Sequence, residues 1–309
     1  VSGDEPFMTA ACEKFEELFG IHVTGRTVEA GRLPRSSGAD VWYGGNEALC
    51  RTLSEEGKLM TYTPAASADL SSPEYDHGDY CAINVDALGI MVNDDVLDRM
   101  GISAPRTWDD LLNPVYRELV WLPAYDTAEG RLFVRAVMAQ YGDGAADYLA
   151  KLDTSVQFYT TGINTAAKCL PTGECVIGIG WLSTALAVQR DTGSSVIRMW
   201  APAPSGVPGQ VQTTAVFADA PHPNAAKLWQ EFALSPLCME LMTENGCDRF
   251  PTVWDGQETM PSLEPAQLET YAAEDEETVA AVDEVIADVL ETLAENGVDT
   301  EDPARWGVA

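Results

Sequence analysis

Apolar positions in this chain come in two alternating kinds of run. Some are short and continuous, and others recur every three or four residues, an alternation that predicts strands covered by helices. In "MTAACEKFEELFG", Ala11, Phe15 and Leu18 form one stripe and Gly20 ends it, so a helix is expected there and a strand in "IHVTG" after it. "ADVWYGG" reads as a strand running into glycines, followed by the helix "EALCRTLSEEG". "ALGIMVN", "LVWLPAY" and "CVIGIGW" read as buried strands, and Thr107 is placed to cap a helix through "WDDLLNPVYR". "DTAEGRLFVRAVMAQYG" begins as a loop and continues as a helix, and "TTAVFADAPHPNAAKLWQEFAL" ends a strand at Ala220 and resumes as a helix. From Asp275 to Glu295, Val279, Val282, Val285, Ile286, Val289, Leu290 and Leu293 form one apolar face opposite acids, the pattern of a long docking helix. The expected architecture is α/β, with ligands at the loops that leave the carboxyl ends of the strands.

In "FYTTGINTAAK", Thr160, Thr161 and Gly162 stand before a helical pattern. A threonine there caps the first turn, and the same free N–H groups form an anion site, so both roles are open at this point.

The 309 residues, 46% of them hydrophobic, suffice for two lobes with a sizeable core. No run approaches the roughly 18 apolar residues of a spanning helix, and "VSGDEPF" carries no leader pattern, so the chain reads as processed or trimmed. A net charge of −31 excludes nucleic acid and anionic membrane surfaces as partners, since both require basic patches. Only 5 of the 18 basic residues are Lys, as on a salt-adapted or acidic extracellular surface.

Of the 7 Cys, Cys169 with Cys175 and Cys238 with Cys247 bracket turns and read as short disulfide loops, with Cys12 and Cys50 a weaker third pair and Cys81 left over. Buried free thiols are the alternative; disulfides would indicate an oxidising compartment. There is no CxxC, and His22, His77 and His222 are scattered, so no metal site and no cofactor are expected.

The order "ADVWYGGNEAL", "EEGKLMTYTP", "ALGIMVN", "APRTWDDLLNPVYR", "YLAKLD", "TGECVIGIGW" and "APHPNAAKLWQEFALSP" resembles the periplasmic substrate-binding proteins of ABC importers, in the branch that binds ferric iron, phosphonates and sugar phosphates. The resemblance implies a two-lobed α/β periplasmic-binding-protein fold (type II, Venus-flytrap) with crossing hinge strands and a ligand cleft between lobes. Lobe 1 would be residues 1–92 and 213–255, and lobe 2 residues 93–212 and 256–309, including the docking helix. The connection between His22 and Ala39 is shorter than the family's usual one.

Iron binders of that family use two adjacent tyrosines after the strand that here reads "CVIGIGW", where this chain has Gly180, Trp181 and Leu182. Ferric iron favours phenolate and carboxylate oxygen, so direct iron binding is disfavoured. The phosphonate and sugar-phosphate binders present hydroxyls and backbone N–H groups at helix starts. That character maps onto Thr160, Thr161 and Gly162, onto Ser2, Gly3 and Asp4 before the first helix, and onto the strand-end residues Tyr43, Gly44, Gly45 and Asn46. Where relatives carry a Ser-Gly-Thr anion loop this chain has "AYDTAEG", with Asp126, Thr127 and Glu129. A carboxylate there repels bare phosphate and suits a zwitterionic or polyhydroxylated ligand; otherwise it is a solvated first turn. Tyr43, Tyr125 and Trp181 are the aromatic candidates for stacking on it, with core packing the alternative for Trp181.

The resulting expectation is a monomeric, non-enzymatic solute-binding component. It would work in the periplasm or outside the cell and deliver a small anionic or zwitterionic ligand to ABC permease subunits. It would meet the membrane only through a partner or an N-terminal lipid anchor. Ferric-iron binding and phosphoester hydrolysis are the rivals. Against hydrolysis, "GxSxG" is absent and Asp126 and Glu129 lie on one helix start rather than across a bond.

Overall fold

The computed structural model describes residues 5–26, 38–162, 164–200, 207–247, 249–253, 268–270 and 275–308. Along the chain run helix α1 (Glu5–Phe19), strand β1 (Val41–Asn46), helix α2 (Glu47–Glu55), strand β2 (Tyr80–Asn93) and helix α3 (Asp94–Met100). Strand β3 (Val120–Pro123) is followed by α4 (Ala128–Tyr141) and α5 (Ala145–Leu152), β4 (Val156–Thr160) by α6 (Thr165–Cys169), and β5 (Ile177–Trp181) by α7 (Leu182–Thr192). Then come strands β6 (Ile197–Trp200) and β7 (Val207–Val216), helices α8 (Pro223–Ala233) and α9 (Pro236–Glu244), strands β8 (Phe250–Pro251) and β9 (Leu268–Thr270), helix α10 (Glu276–Glu295) and strand β10 (Trp306–Val308). The chain divides into two units, Val1–Asp86 with Gln210–Pro261, and Ala87–Gly209 with Ser262–Ala309.

In the first unit, β1 pairs antiparallel with β7 (Val41 opposite Val216), and β8 pairs antiparallel with the early part of β2 (Val85 opposite Phe250). Phe7, Ala11 and Phe15 of α1 recur every fourth residue and pack with Trp229, Phe232, Met239 and Met242. Leu18, read from the sequence as part of that stripe, is 48% exposed, because the buried face of α1 runs through Phe7 instead. "IHVTG" is not a strand; residues 21–26 have no regular structure. At Asp86 the β2 backbone carries a carboxylate whose Oδ2 accepts from Arg249 Nε at 3.0 Å.

In the second unit β5 lies beside β2, antiparallel, with β6 also antiparallel to β2, while β3 is parallel to both β5 and β4 and β10 is parallel to β4. Alternate strand residues sort to the two faces. Leu88, Ile90, Val120, Leu122, Ile177 and Ile179 pack against α4, α5 and α10, and Met91, Trp121 and Ile197 pack with Ala166, Leu170 and Ala185 of the α6–α7 side. Thr107 does accept from Asp110 N at 3.2 Å, but what it opens is a short 3-10 turn, Asp109–Leu112, cut off by Pro114. Helix α10 starts as read, with Asp275 accepting from Thr278 N, and buries Val282, Val289 and Leu293.

All seven cysteines are free thiols, which corrects the disulfide reading. The Cys169–Cys175 loop is closed by backbone, Cys175 N donating to Cys169 O at 3.2 Å, with Cys175 buried among apolar side chains. Cys238 and Cys247 are small apolar components of one core, and Cys12 packs against that core rather than toward Cys50, which belongs to a separate cluster with Trp42 and Leu53. Burial pushes the Cys175 and Cys238 thiols well above their ordinary range. The inference of an oxidising compartment from disulfides therefore falls away.

Candidate functional site

The strands β3, β4 and β5 of the second unit end at Pro123, Thr160 and Trp181; loops follow the first two, and α7 starts directly after the third. After β3 the chain goes to β4, and after β5 it goes the other way, to β6 beyond β2, so β3 and β5 flank a reversal of strand order. Loops splay apart at such a point and leave a crevice. A small hollow, open to solvent, lies there, and Pro123, Thr127, Glu129, Thr160, Thr161 and Gly162 line it, over a floor that includes Met91, Ala166, Ile179 and Gly180.

The β3–α4 loop is fixed by its own bonds. Thr127 caps α4, accepting from Gly130 N at 3.0 Å while its hydroxyl donates to Ala124 O at 2.7 Å. Gly130 admits no side chain, since a Cβ there would lie 2.0 Å from Ala124 O. The first turn of α4 is thereby pressed onto the loop, and Glu129 is held at the hollow while only 6% exposed. Its Oε1 accepts from Trp181 Nε1 at 2.8 Å. Indole N–H only donates, so the carboxyl oxygen it meets serves as acceptor. Gly180 leaves room in the floor, because a Cβ there would lie 2.6 Å from Met91 Cε.

Across the hollow, Thr160 ends β4 with its carbonyl accepting from Ala124 N at 2.8 Å. Thr160 is 5% exposed, and its hydroxyl makes no hydrogen bond among the described residues. Neither Thr160 nor Thr161 caps a helix, a correction to one of the two roles the sequence left open, because α6 begins only at Thr165, after Asn164. Thr161 N donates to Val308 O at 2.9 Å and its hydroxyl lies 3.4 Å from Gly307 O, so its polar groups turn toward β10.

Of the other residues named from the sequence, Asp126 is exposed in the same loop. Tyr125 is not available for stacking: it is 4% exposed, in edge contact with Tyr159 and Trp306, and burial pushes its phenol far above the ordinary range. Trp181 is 5% exposed in the core, so it orients Glu129 rather than presenting a ring. Tyr43 belongs to the first unit and meets the rings of Phe7 and Trp229 there. Gly44 and Gly45 both have φ of +80°, and a Cβ on Gly45 would lie 2.9 Å from the Trp42 ring, so this pair forms the irregularity within β1 where its register against β7 shifts between Tyr43 and Asn46. Ser2, Gly3 and Asp4 lie outside the described residues, as does most of the short connection after His22. The sequence reading missed the apolar floor and the partnership of Glu129 with Trp181, for which the alternating glycines of "IGIGW" were the available signal. Among the described residues no three His, Cys, Asp or Glu side chains gather to hold a metal ion, and no helix is long and apolar enough to cross a membrane.

Residues 38–275 match the family model described as bacterial extracellular solute-binding protein. An "uncharacterized protein" of Haemophilus influenzae is 27% identical over 216 residues, 67% of this chain but 62% of that protein, so the match spans less than two thirds of that relative's length. The periplasmic binding protein AfuA of Actinobacillus pleuropneumoniae, solved with fructose-6-phosphate bound, matches in structure with a TM-score of 0.70 at 22% identity, over 95% of this chain and 96% of that one. Iron-bound HitA of Pseudomonas aeruginosa gives a TM-score of 0.71 at 21% identity, over 93% and 95%. At these identities the likeness carries the fold, that of the two-lobed periplasmic binding proteins.

Proposed function

The chain belongs to the bacterial extracellular solute-binding protein family, and from that premise we propose that it captures a small polar solute, zwitterionic or sugar-phosphate-like, and delivers it to the permease of an ABC importer. As a member of that family it binds solute rather than transforming it, outside the cytoplasmic membrane. The observation that supports the choice of solute is the hollow of the second unit, which combines the Thr160 hydroxyl and the Glu129 carboxylate over an apolar floor at a reversal of strand order. A polar head and a short carbon skeleton match such a lining. Among the described residues that line the hollow none is a Tyr or a His, so they offer ferric iron no phenolate or imidazole there.

Native mass spectrometry of the purified protein tests the reading. It predicts a one-to-one adduct of a few hundred daltons, released intact on denaturation and weakened by Thr160→Val. An adduct that is chemically altered on release would contradict binding without turnover. An adduct held equally by Thr160→Val would contradict the role of the hollow.

A further inference from the structure

On the reading that this hollow binds the solute, we propose that Met91 is a specificity-determining residue and that it sets how long a carbon skeleton the floor accepts. Met91 stands on β2 opposite Gly178 of β5, and Gly89 stands opposite Gly180. Paired residues of an antiparallel ladder share a face, as do residues two apart on one strand, so Gly89, Gly178 and Gly180 leave a trough without side chains on the face that carries Met91. Met91 lies along that trough. A Cβ on Gly178 would meet Met91 Cγ at 3.2 Å, and a Cβ on Gly180 would meet Met91 Cε at 2.6 Å. The side chain therefore runs along β5 toward the end of the strand with its methyl at Gly180, and both residues line the hollow.

The other floor positions leave the depth to this one side chain. Ala166 and Ala167 of α6 end at Cβ, and Ile179, between the two glycines, packs in the core on the opposite face of the sheet. Methionine suits the role, because an unbranched thioether fills an irregular trough and adjusts its end at little cost. Met91 is buried in one cluster with Trp121, Leu170 and Ile197, which anchors the rest of the side chain beneath that end. A solute whose polar head reaches the Thr160 hydroxyl lays its carbon skeleton on this floor. Each methylene it buries there is worth about fourfold in affinity, until the chain meets the packed methyl and further length brings strain instead. Affinity along a homologous series then rises to a cut-off and falls, and Met91 fixes the cut-off.

The test uses two series that join a polar head to a straight tail of growing length: the alkylphosphonates from methyl to hexyl, and the α-amino acids from alanine to norleucine. Each member is titrated calorimetrically into wild type, Met91→Leu, Met91→Ala, Gly180→Ala and Thr160→Val. Leucine ends one atom short of Gly180, so Met91→Leu should move the cut-off out by about one carbon and Met91→Ala by about two, raising the affinity of the first excluded member roughly tenfold in the latter. Gly180 has no positive φ, so alanine fits its backbone and acts on the Met91 methyl, pushing it into the hollow and moving the cut-off in. A merely structural role would instead lower affinity for all members by one factor and leave the cut-off in place. That result, a cut-off that moves the same way in Met91→Ala and Gly180→Ala, a wild type without a cut-off, or binding of no member would each overturn the proposal. If Thr160→Val weakens binding while the Met91 variants keep the wild-type cut-off, the hollow stands and the role of Met91 falls. If Thr160→Val binds as wild type does, the hollow falls with it.

Discussion

The indole of Trp306 lies flat on the phenol of Tyr159, with ring centroids 3.6 Å apart and planes within 5° of parallel. The contact belongs to a larger clamp in which β10 runs parallel to β4, and Arg305 reaches Asp153 Oδ1 at 2.9 Å and the carbonyls of Asp153 and Val156 at 2.9 and 3.0 Å. Asp153 Oδ1 also accepts from Tyr159 Oη at 2.8 Å. The last residues of the chain thus hold the strand whose end, Thr160, lines the hollow.

Removing the guanidinium leaves Asp153, 7% exposed at its side chain, without its cation. Arg305→Met should cost about 3 kcal/mol, as for breaking a largely buried ion pair from one side. Urea denaturation measures that loss. Hydrogen exchange gives a local check, because the Thr161 amide bonded to Val308 O should exchange faster in the variant.

Why that clamp escaped the sequence reading is a matter of distance along the chain. "WGV" is too short to show a period, and its partner Tyr159 lies 147 residues earlier, so nothing local marks it as a strand. Helix α10 was legible for the opposite reason: twenty residues carry one face, opened by Asp275 as cap. Thr160 and Thr161 could be placed at a strand-to-helix loop, but whether they cap depended on where α6 starts, and Asn164 intervenes. Cys spacing suggests turns, and the turns are there; pairing is not decidable from spacing, since a backbone bond closes the Cys169–Cys175 loop and Cys247 N bonds to Met242 O at the end of α9. Glu129 was visible as a first-turn acid, while its burial against Trp181 depends on β5 and α4 meeting in space.

Gly130→Ala sets helix propensity against sterics. Alanine gains at most about 1 kcal/mol over glycine in a helix, and less in a first turn such as this one, but its Cβ would sit 2.0 Å from a backbone oxygen that cannot rotate away. The clash should win, with a net loss of about 3 kcal/mol. Chemical denaturation should show it, and a variant as stable as wild type would mean that the β3–α4 loop is not held as described.

In the first unit, burial alone would raise the Glu231 carboxyl, but hydrogen bonds from Tyr62 Oη and from the amides of Ala65 and Ala66 outweigh it and hold the group below the usual carboxylate range. A carboxyl depressed on folding contributes stability that is fully present above its unfolded value, about 4.3, and is lost as pH falls through the lower folded value. Melting temperatures followed from pH 6 down to pH 3 should therefore fall less steeply for Glu231→Gln than for wild type.

With seven free thiols, denatured protein kept without reductant should take up seven alkyl groups by intact mass. Under native conditions Cys50 and Cys81 should react slowly, since burial pushes both up to about 12.

The central claim, that the hollow at the ends of β3, β4 and β5 grips the solute, is tested most directly by calorimetric titration of the solute released from the native protein into wild type, Thr160→Val and Thr161→Ala. Thr160 faces the hollow, so losing its hydroxyl should weaken binding roughly tenfold, the worth of one hydrogen bond of about 1.5 kcal/mol. Thr161 spends its polar groups on Gly307 and Val308, so its variant should bind within about twofold of wild type. Equal affinity in wild type and Thr160→Val, or a larger loss in Thr161→Ala, would contradict the account.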